Sequence, residues 1–374
     1  MPALAPEIRE LAAGPIEWDY LLAEAENHSL RPLLARHLSA CASEIVPAAA
    51  LKRLTGAVRT NTGRCLILTA ELIRLMDRFR DAGIRAVPYK GPVIAVQAYG
   101  DVALREFEDL DIVLPQRDMP RANEIVVGLG YRARFPWILS PDAASALVPG
   151  EYNYRDEARR ILIELHTERT LRHFPVPPDL DDLARSFVPL TFSGHEIRTF
   201  APEDALVMLC IHGAKDFWQK ISWVVDIAEL VRACPALDWG VAYRRADSWK
   251  ARRILHLGLA LATRMLDARL PDEIEARVTG DSAATALAAQ VMRWLLAGEQ
   301  GEFGSVRRFS FRRRMLSGAL AGWRYSIRLA VLPAEEDWEM MQLSGRFAPL
   351  YVALRPLRLL RKYGWRGRDS RESA

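Results

Sequence analysis

The spacing of hydrophobic positions changes character twice along the chain. Up to about residue 80, apolar side chains recur every three or four residues: Trp18, Leu21, Leu22 and Ala25, then Leu30, Leu33 and Leu34 with His37. Pro47 marks a break. A long amphipathic helix is predicted over 48–82, with Leu66, Leu68, Leu72, Leu75 and Met76 on its buried side. Gly83 then follows Asp81-Ala82, where glycine commonly stands just past a last helical turn.

From 84 to 170 the apolar runs shorten and alternate with polar residues, which predicts strands. They fall at 84–89, around Asp109 to Leu114, at 131–137, and in two pieces between Tyr152 and His166 that turn near Asp156 to Arg159. Helices over 93–99 and 117–129 separate the first three. Residues 171–186 are proline-rich and read as irregular, and 188–200 predicts a hairpin turning at Ser193-Gly194. Helical spacing returns at Pro202, where Glu203 and Asp204 suit a first turn, and continues to about 300 with Trp249 and Trp294 as core anchors.

The expected class is therefore α+β: a small mixed sheet flanked by N- and C-terminal helical regions. The divisions fall at 1–83, 84–200, 201–300 and 301–374.

Composition narrows the class only a little. The chain has 374 residues, 50% hydrophobic and 26% charged, which is ordinary for a soluble globular protein with more than one subdomain. A net charge of +4 is too mild to imply nucleic-acid binding by itself. Cys41, Cys65, Cys210 and Cys234 show no metal-ligand spacing, so reduced, buried thiols are expected. The N-terminal residues lack the basic then apolar pattern of a signal peptide, and no uncharged run is long enough to span a membrane. A cytoplasmic location is expected.

Charge is unevenly placed. Beyond Val306 the chain turns basic at Arg307, Arg308, Arg312, Arg313, Arg314, Arg324 and Arg328. It does so again at Arg355, Arg358, Arg361, Lys362, Arg366 and Arg368. Interleaved with Leu, Trp and Tyr, these residues suit weak contact with anionic lipid or an anionic acceptor, or simply a solvated helical face. Residues 333–338 read as an acidic turn and a helix start, and 366–374 as a frayed end.

The chemistry gathers at Asp109-Leu110-Asp111. Side chains two apart on a strand share a face, so the two carboxylates project together. They repel unless a cation lies between them, and hard divalent cations favour oxygen ligands. Taken alone, the pair also fits a solvated strand end.

Upstream, Lys90-Gly91-Pro92 joins a strand to a helix. Proline suits a first helical position, glycine lets backbone approach a ligand, and the helix N-terminus with Lys90 favours an anion. With Arg105, the unit suits metal-assisted transfer from a nucleoside triphosphate. Over 161–166, Ile161, Ile163 and Leu165 share one face and Leu162, Glu164 and His166 the other. Glu164 then joins the acids if its strand lies beside Asp109 and Asp111; otherwise it is a surface acid. His166 either reaches an acceptor or packs beneath the site. His212, Lys215 and Asp216 fall within about one helical turn. Asp226, inside an apolar helix, reads as a buried hydrogen-bond partner, and His28 and Arg31 as structural.

Several segments carry a resemblance: Lys90-Gly91, Tyr99-Gly100-Asp101, Leu104-Arg105, Asp109 to Leu114, Glu164-Leu165-His166, His212 to Trp218, Trp223, Asp226, Leu350-Tyr351 and Arg355 to Gly364. Over nearly its whole length the chain resembles the uncharacterised nucleotidyltransferase family of the DNA polymerase β-like superfamily, often found beside bacterial polysaccharide and peptide biosynthesis genes. Lys90-Gly91 stands where that superfamily has a Gly-Ser pair, and Asp216 where a histidine is common.

The resemblance implies Mg²⁺- or Mn²⁺-dependent transfer of a nucleoside monophosphate from an NTP to an unidentified acceptor. Asp109, Asp111 and Glu164 are then catalytic and hold metal. Lys90, Gly91, Arg105 and Lys215 bind the nucleotide, and His166 and His212 are acceptor-side candidates. The alternatives are a non-catalytic nucleotide- or partner-binding module, or a toxin-like enzyme acting on tRNA or protein, with nucleic acid left open as a partner.

Overall fold

The computed structural model describes residues 4–136, 150–167, 180–192, 194–298, 305–316, 322–324, 335–341 and 350–364, with single positions 327, 331, 343 and 347. Four helices open it: α1 (Ala5–Ala13), α2 (Trp18–Asn27), α3 (Arg31–Cys41) and α4 (Ala48–Asp81). Asn61, Cys65, Leu68, Leu72, Leu75 and Phe79 make the buried stripe of α4. Leu66, expected on that side, is instead 55% exposed, because one step from Cys65 rotates a side chain by about 100°.

Five strands form a mixed sheet: β1 (Val87–Pro88), β2 (Asp109–Val113), β3 (Arg132–Ala133), β4 (Glu151–Asp156) and β5 (Ile161–His166). Their order is β1-β2-β5-β4-β3, with β2 and β5 parallel and the other neighbours antiparallel. Helices α5 (Pro92–Tyr99) and α6 (Met119–Gly128) lie between strands in sequence. β1 is shorter than the predicted 84–89: the Ala86 amide turns back to the Ile84 carbonyl instead of joining the sheet, while Tyr89 still donates to the Asp111 carbonyl. β3 is likewise only two residues long, and Trp137 lies outside the described residues.

Strand alternation divides the sheet into two faces. Leu110, Ile112, Ile163, Leu165, Tyr152 and Tyr154 pack into one core with Leu68, Leu72 and Phe79 of α4 and Ala122 and Val126 of α6. The opposite face carries the acids. There Val113 joins a larger core shared with α8 (Pro202–Lys215), α9 (Ile221–Ala233), α10 (Trp239–Ser248), α11 (Arg252–Leu266), α12 (Asp272–Gly280), α13 (Ser282–Leu296) and α14 (Ser305–Met315). Trp249 and Trp294 are buried in it as expected.

Of the predicted irregular stretch, 171–179 lie outside the described residues, while Leu180–Leu183 form α7. The hairpin is present as β6 (Val188–Phe192) and β7 (His195–Thr199). Its Ser193 is not among the described residues, and Gly194 takes φ +86. All four cysteines are free, three of them buried. Among the described residues no helix is long and apolar enough to cross a membrane.

The basic C-terminal segments are partly committed inside the protein. Arg312 donates to the Lys215 carbonyl, Arg314 to Gln290, and Arg355 to Asp337. The acidic stretch is helical over Glu335–Met340, and a longer helix spans Leu350–Gly364. Arg328 and 366–374 lie outside the described residues, as do the side chains of Arg361 and Lys362.

Candidate active site

The site is set by strand register. Asp111 on β2 stands opposite Glu164 on β5, and Glu164 stands opposite Asn153 on β4. One row further along, Val113, His166 and Glu151 align in the same way. Aligned residues on neighbouring strands point to one face. The sheet therefore gathers Asp111, Glu164, His166 and Glu151 from three strands, with Asp109 one pleat away. The strand neighbourhood on which the Glu164 expectation depended is present.

Side-chain contacts tighten the cluster. Asp111 Oδ1 accepts from Lys90 Nζ at 2.8 Å and lies 2.9 Å from His166 Nε2. The same imidazole nitrogen is 3.4 Å from Glu164 Oε2, while His166 Nδ1 is 4.0 Å from Glu151 Oε2. From α8, Lys215 Nζ reaches Glu151 Oε2 at 3.4 Å. Asp111 and His166 are each only 3% exposed. The Tyr89 ring stands edge-on to the imidazole, centroids 5.4 Å apart.

Burial and mutual repulsion control the charges. Burial, reinforced by the neighbouring Asp111 charge, pushes the Asp109 carboxyl up to about 7. Burial also opposes ionisation of Asp111, but Lys90 and the His166 hydrogen bond outweigh it and hold that carboxyl well below the usual range. Burial would lower His166, yet its hydrogen bonds to Asp111 and Glu164 raise it to about 9. Asp111 is thus a carboxylate held between the Lys90 ammonium and the His166 imidazole.

The donors suit a divalent cation. Asp111, Glu164 and His166 each present one ligand atom, and these atoms all lie within 4.8 Å of one another. Two oxygens and an imidazole nitrogen in a largely buried cluster are a chemically sensible set for such an ion. The sequence expectation named Asp109, Asp111 and Glu164; the compact donor group among the described residues has His166 in place of Asp109.

The remaining candidates divide. Gly91, at the start of α5, takes φ +55 and ψ −125, and a Cβ there would sit 3.3 Å from the Asp109 carbonyl oxygen. Glycine is required by the backbone itself. Lys90 points to Asp111. Arg105 is held in a two-point pair with Asp226 of α9, which also accepts from Tyr99. Asp226 is the buried hydrogen-bond partner its surroundings predicted. His212 packs edge-to-face on Trp223, 5.1 Å between centroids, and burial, then the Lys90 charge, lowers its basicity well below the ordinary value. His28 accepts from the Ile221 amide and Arg31 pairs with Glu106, both structural.

Glu151 and Tyr89 escape sequence reasoning as site residues, and Arg312 reads only as part of the basic C-terminal run. For Glu151 part of the signal exists: the sequence predicts a hairpin turn near Asp156 to Arg159, but it spans 157–160, and that register places Glu151 opposite His166. Arg312 lies over the Phe217 ring at 4.6 Å and bonds the Lys215 carbonyl, a contact between distant segments with no local signature.

Residues 14–267 match a family model described as uncharacterised nucleotidyltransferase. Among solved structures, the chain is similar to an antigenic nucleotidyltransferase-like protein from Paracoccidioides brasiliensis at 14% identity and TM-score 0.38, covering 57% of this chain and 92% of that one. It is also similar to a tRNA-processing enzyme in an apo form at 14% identity and TM-score 0.25, covering 82% of this chain and 92% of that one. No curated protein matches.

Proposed function

The chain belongs to the uncharacterised nucleotidyltransferase family, and from that premise we propose that it moves a nucleoside monophosphate from an NTP to an acceptor hydroxyl, using Mg²⁺ or Mn²⁺. The observation that carries this reading is the register of Asp111 against Glu164, which sets a buried and a part-exposed carboxylate side by side on the sheet face turned towards Lys90 and Lys215.

The acceptor oxygen attacks the α-phosphorus, and the bond to the β-phosphate bridging oxygen breaks. That oxygen keeps the electron pair and leaves as pyrophosphate. Asp109, Asp111 and Glu164 would supply carboxylate oxygens to the metal. A divalent ion held there would neutralise phosphate charge and ease loss of the acceptor proton. Glu164, with 20% of its side chain exposed, is the accessible carboxylate of the group and takes that proton. Lys90 and Lys215 provide positive charge for the phosphates. Arg105 acts at one remove, holding α9 against the segment that leads into β2.

The test is pyrophosphate release from each of the four NTPs with Mg²⁺ or Mn²⁺, with cell extract as the source of acceptor. Asp111→Asn and Glu164→Gln should each abolish release while the protein stays folded. No release from any NTP by wild type, or unchanged release by either variant, overturns the reading.

A further inference from the structure

We propose that His166 is itself a metal ligand, so that Asp111, Glu164 and His166 form a mixed oxygen–nitrogen centre that selects a transition-metal cation such as Mn²⁺ over Mg²⁺. The inference rests on the nucleotidyl-transfer reading for the purpose of the metal, and on the side-chain geometry for its identity.

Spacing is the first argument. Donors about 2.1 Å from one ion lie roughly 3.0–3.4 Å apart in octahedral or tetrahedral arrangements. His166 Nε2 is 2.9 Å from Asp111 Oδ1 and 3.4 Å from Glu164 Oε2. The nitrogen already sits where a ligand belongs, and an ion entering there replaces the proton shared with Asp111.

The second argument is orientation. His166 is 3% exposed, and its ring is braced by the edge of Tyr89. Its outer nitrogen, Nδ1, is buried without a hydrogen-bond partner, and the nearest carboxylate oxygen is Glu151 Oε2 at 4.0 Å. A ligating imidazole characteristically directs its other N–H to a carboxylate, which fixes ring and tautomer. Glu151, tethered by Lys215, is placed for that role. A histidine that merely packed beneath the site would not need a carboxylate on each side.

The third argument is chemical. Mg²⁺ prefers all-oxygen surroundings, whereas imidazole favours first-row transition metals. Placing the His166 imidazole among these carboxylates therefore moves the preference from Mg²⁺ towards a transition-metal ion such as Mn²⁺.

The experiment uses the metal-stripped, full-length protein loaded with one equivalent of Mn²⁺ and read by pulsed electron paramagnetic resonance. Wild type should show ¹⁴N coupling to Mn²⁺, replaced by ¹⁵N coupling when histidine is isotopically labelled, which needs no variant. His166→Gln should remove the coupling and reduce the Mn²⁺-to-Mg²⁺ affinity ratio by about tenfold or more. Mn²⁺ bound to wild type without nitrogen coupling overturns the inference, as does an unchanged ratio in folded His166→Gln. If that Mn²⁺ is still lost in Asp111→Asn, the nucleotidyl-transfer reading survives and only the role of His166 falls. Failure of wild type to bind Mn²⁺, with or without NTP, overturns both.

Discussion

Arg105 and Asp226 meet in a two-point ion pair, Nε to Oδ1 at 2.8 Å and Nη2 to Oδ2 at 2.9 Å, with the Asp226 side chain fully buried and that of Arg105 11% exposed. The pair fastens α9 to the segment just before β2, and so fixes the approach of the helical wall to the acidic face. Removing one partner leaves a buried charge uncompensated, at a cost of about 3–5 kcal/mol. Asp226→Ala should lose that much in urea unfolding, and Arg105→Met with Asp226→Leu should recover most of it. A loss below about 1 kcal/mol for the single variant would show that water reaches Arg105.

This pair also marks where the sequence stops being legible. The acids of β2 could be read because strand alternation is local, and so could the helices, whose period is carried by consecutive residues such as Leu68, Leu72 and Leu75. The parallel neighbour of β2 could not: β5 lies some fifty residues away, and only the fold decides that Asp111 faces Glu164. Lys90 reads in the sequence as a cation for the triphosphate; its partner, the Asp111 carboxylate, is a tertiary fact. Arg105 offers the same lesson, since its pairing with α9 depends on packing over 121 residues of separation.

Glu71 gives a pH dependence separate from the site. Burial pushes its carboxyl up, but hydrogen bonds from Arg74, Arg159 and Tyr131 outweigh this and bring it down to about 2. A carboxyl depressed on folding contributes stability that is complete above its unfolded value, about 4.5, and is lost as pH falls towards 2. The contribution is at most about 3 kcal/mol, reduced by solvent around the two half-exposed arginines. Glu71→Gln should be less stable than wild type at pH 6, and the gap should close on acidification. A gap constant from pH 6 to pH 3 would contradict the assignment.

Gly91 is constrained by backbone before any ligand arrives. Its φ +55 with ψ −125 is a sparsely populated conformation that costs a side-chain-bearing residue about 1–3 kcal/mol, and the 3.3 Å approach to the Asp109 carbonyl adds crowding. Gly91→Ala should lower the melting temperature without nucleotide, and Gly91→Val should lower it further because β-branching stiffens the strained position. Equal melting temperatures for all three proteins would mean that the turn relaxes freely.

Lys90 offers a test in which two roles predict different outcomes. A lysine serving only the triphosphate would leave metal binding by the nucleotide-free protein untouched. Here Lys90 Nζ lies 2.8 Å from Asp111 Oδ1, the oxygen also bound by His166, so an incoming ion must displace the ammonium. Lys90→Met removes that competitor, and Mn²⁺ binding without nucleotide should tighten by about tenfold, equivalent to roughly 1.4 kcal/mol. Binding of NTP should weaken more than binding of NMP, since the freed ammonium then meets the outer phosphates. A general field effect would also tighten Mn²⁺, because any nearby cation repels it. Lys215→Met supplies the comparison: it deletes the same charge beside Glu151 without touching Asp111. Tightening confined to Lys90→Met identifies displacement, and equal tightening in both variants reduces Lys90 to part of the field. Unchanged or weaker Mn²⁺ binding in Lys90→Met would show that the ammonium and the ion do not compete for Asp111.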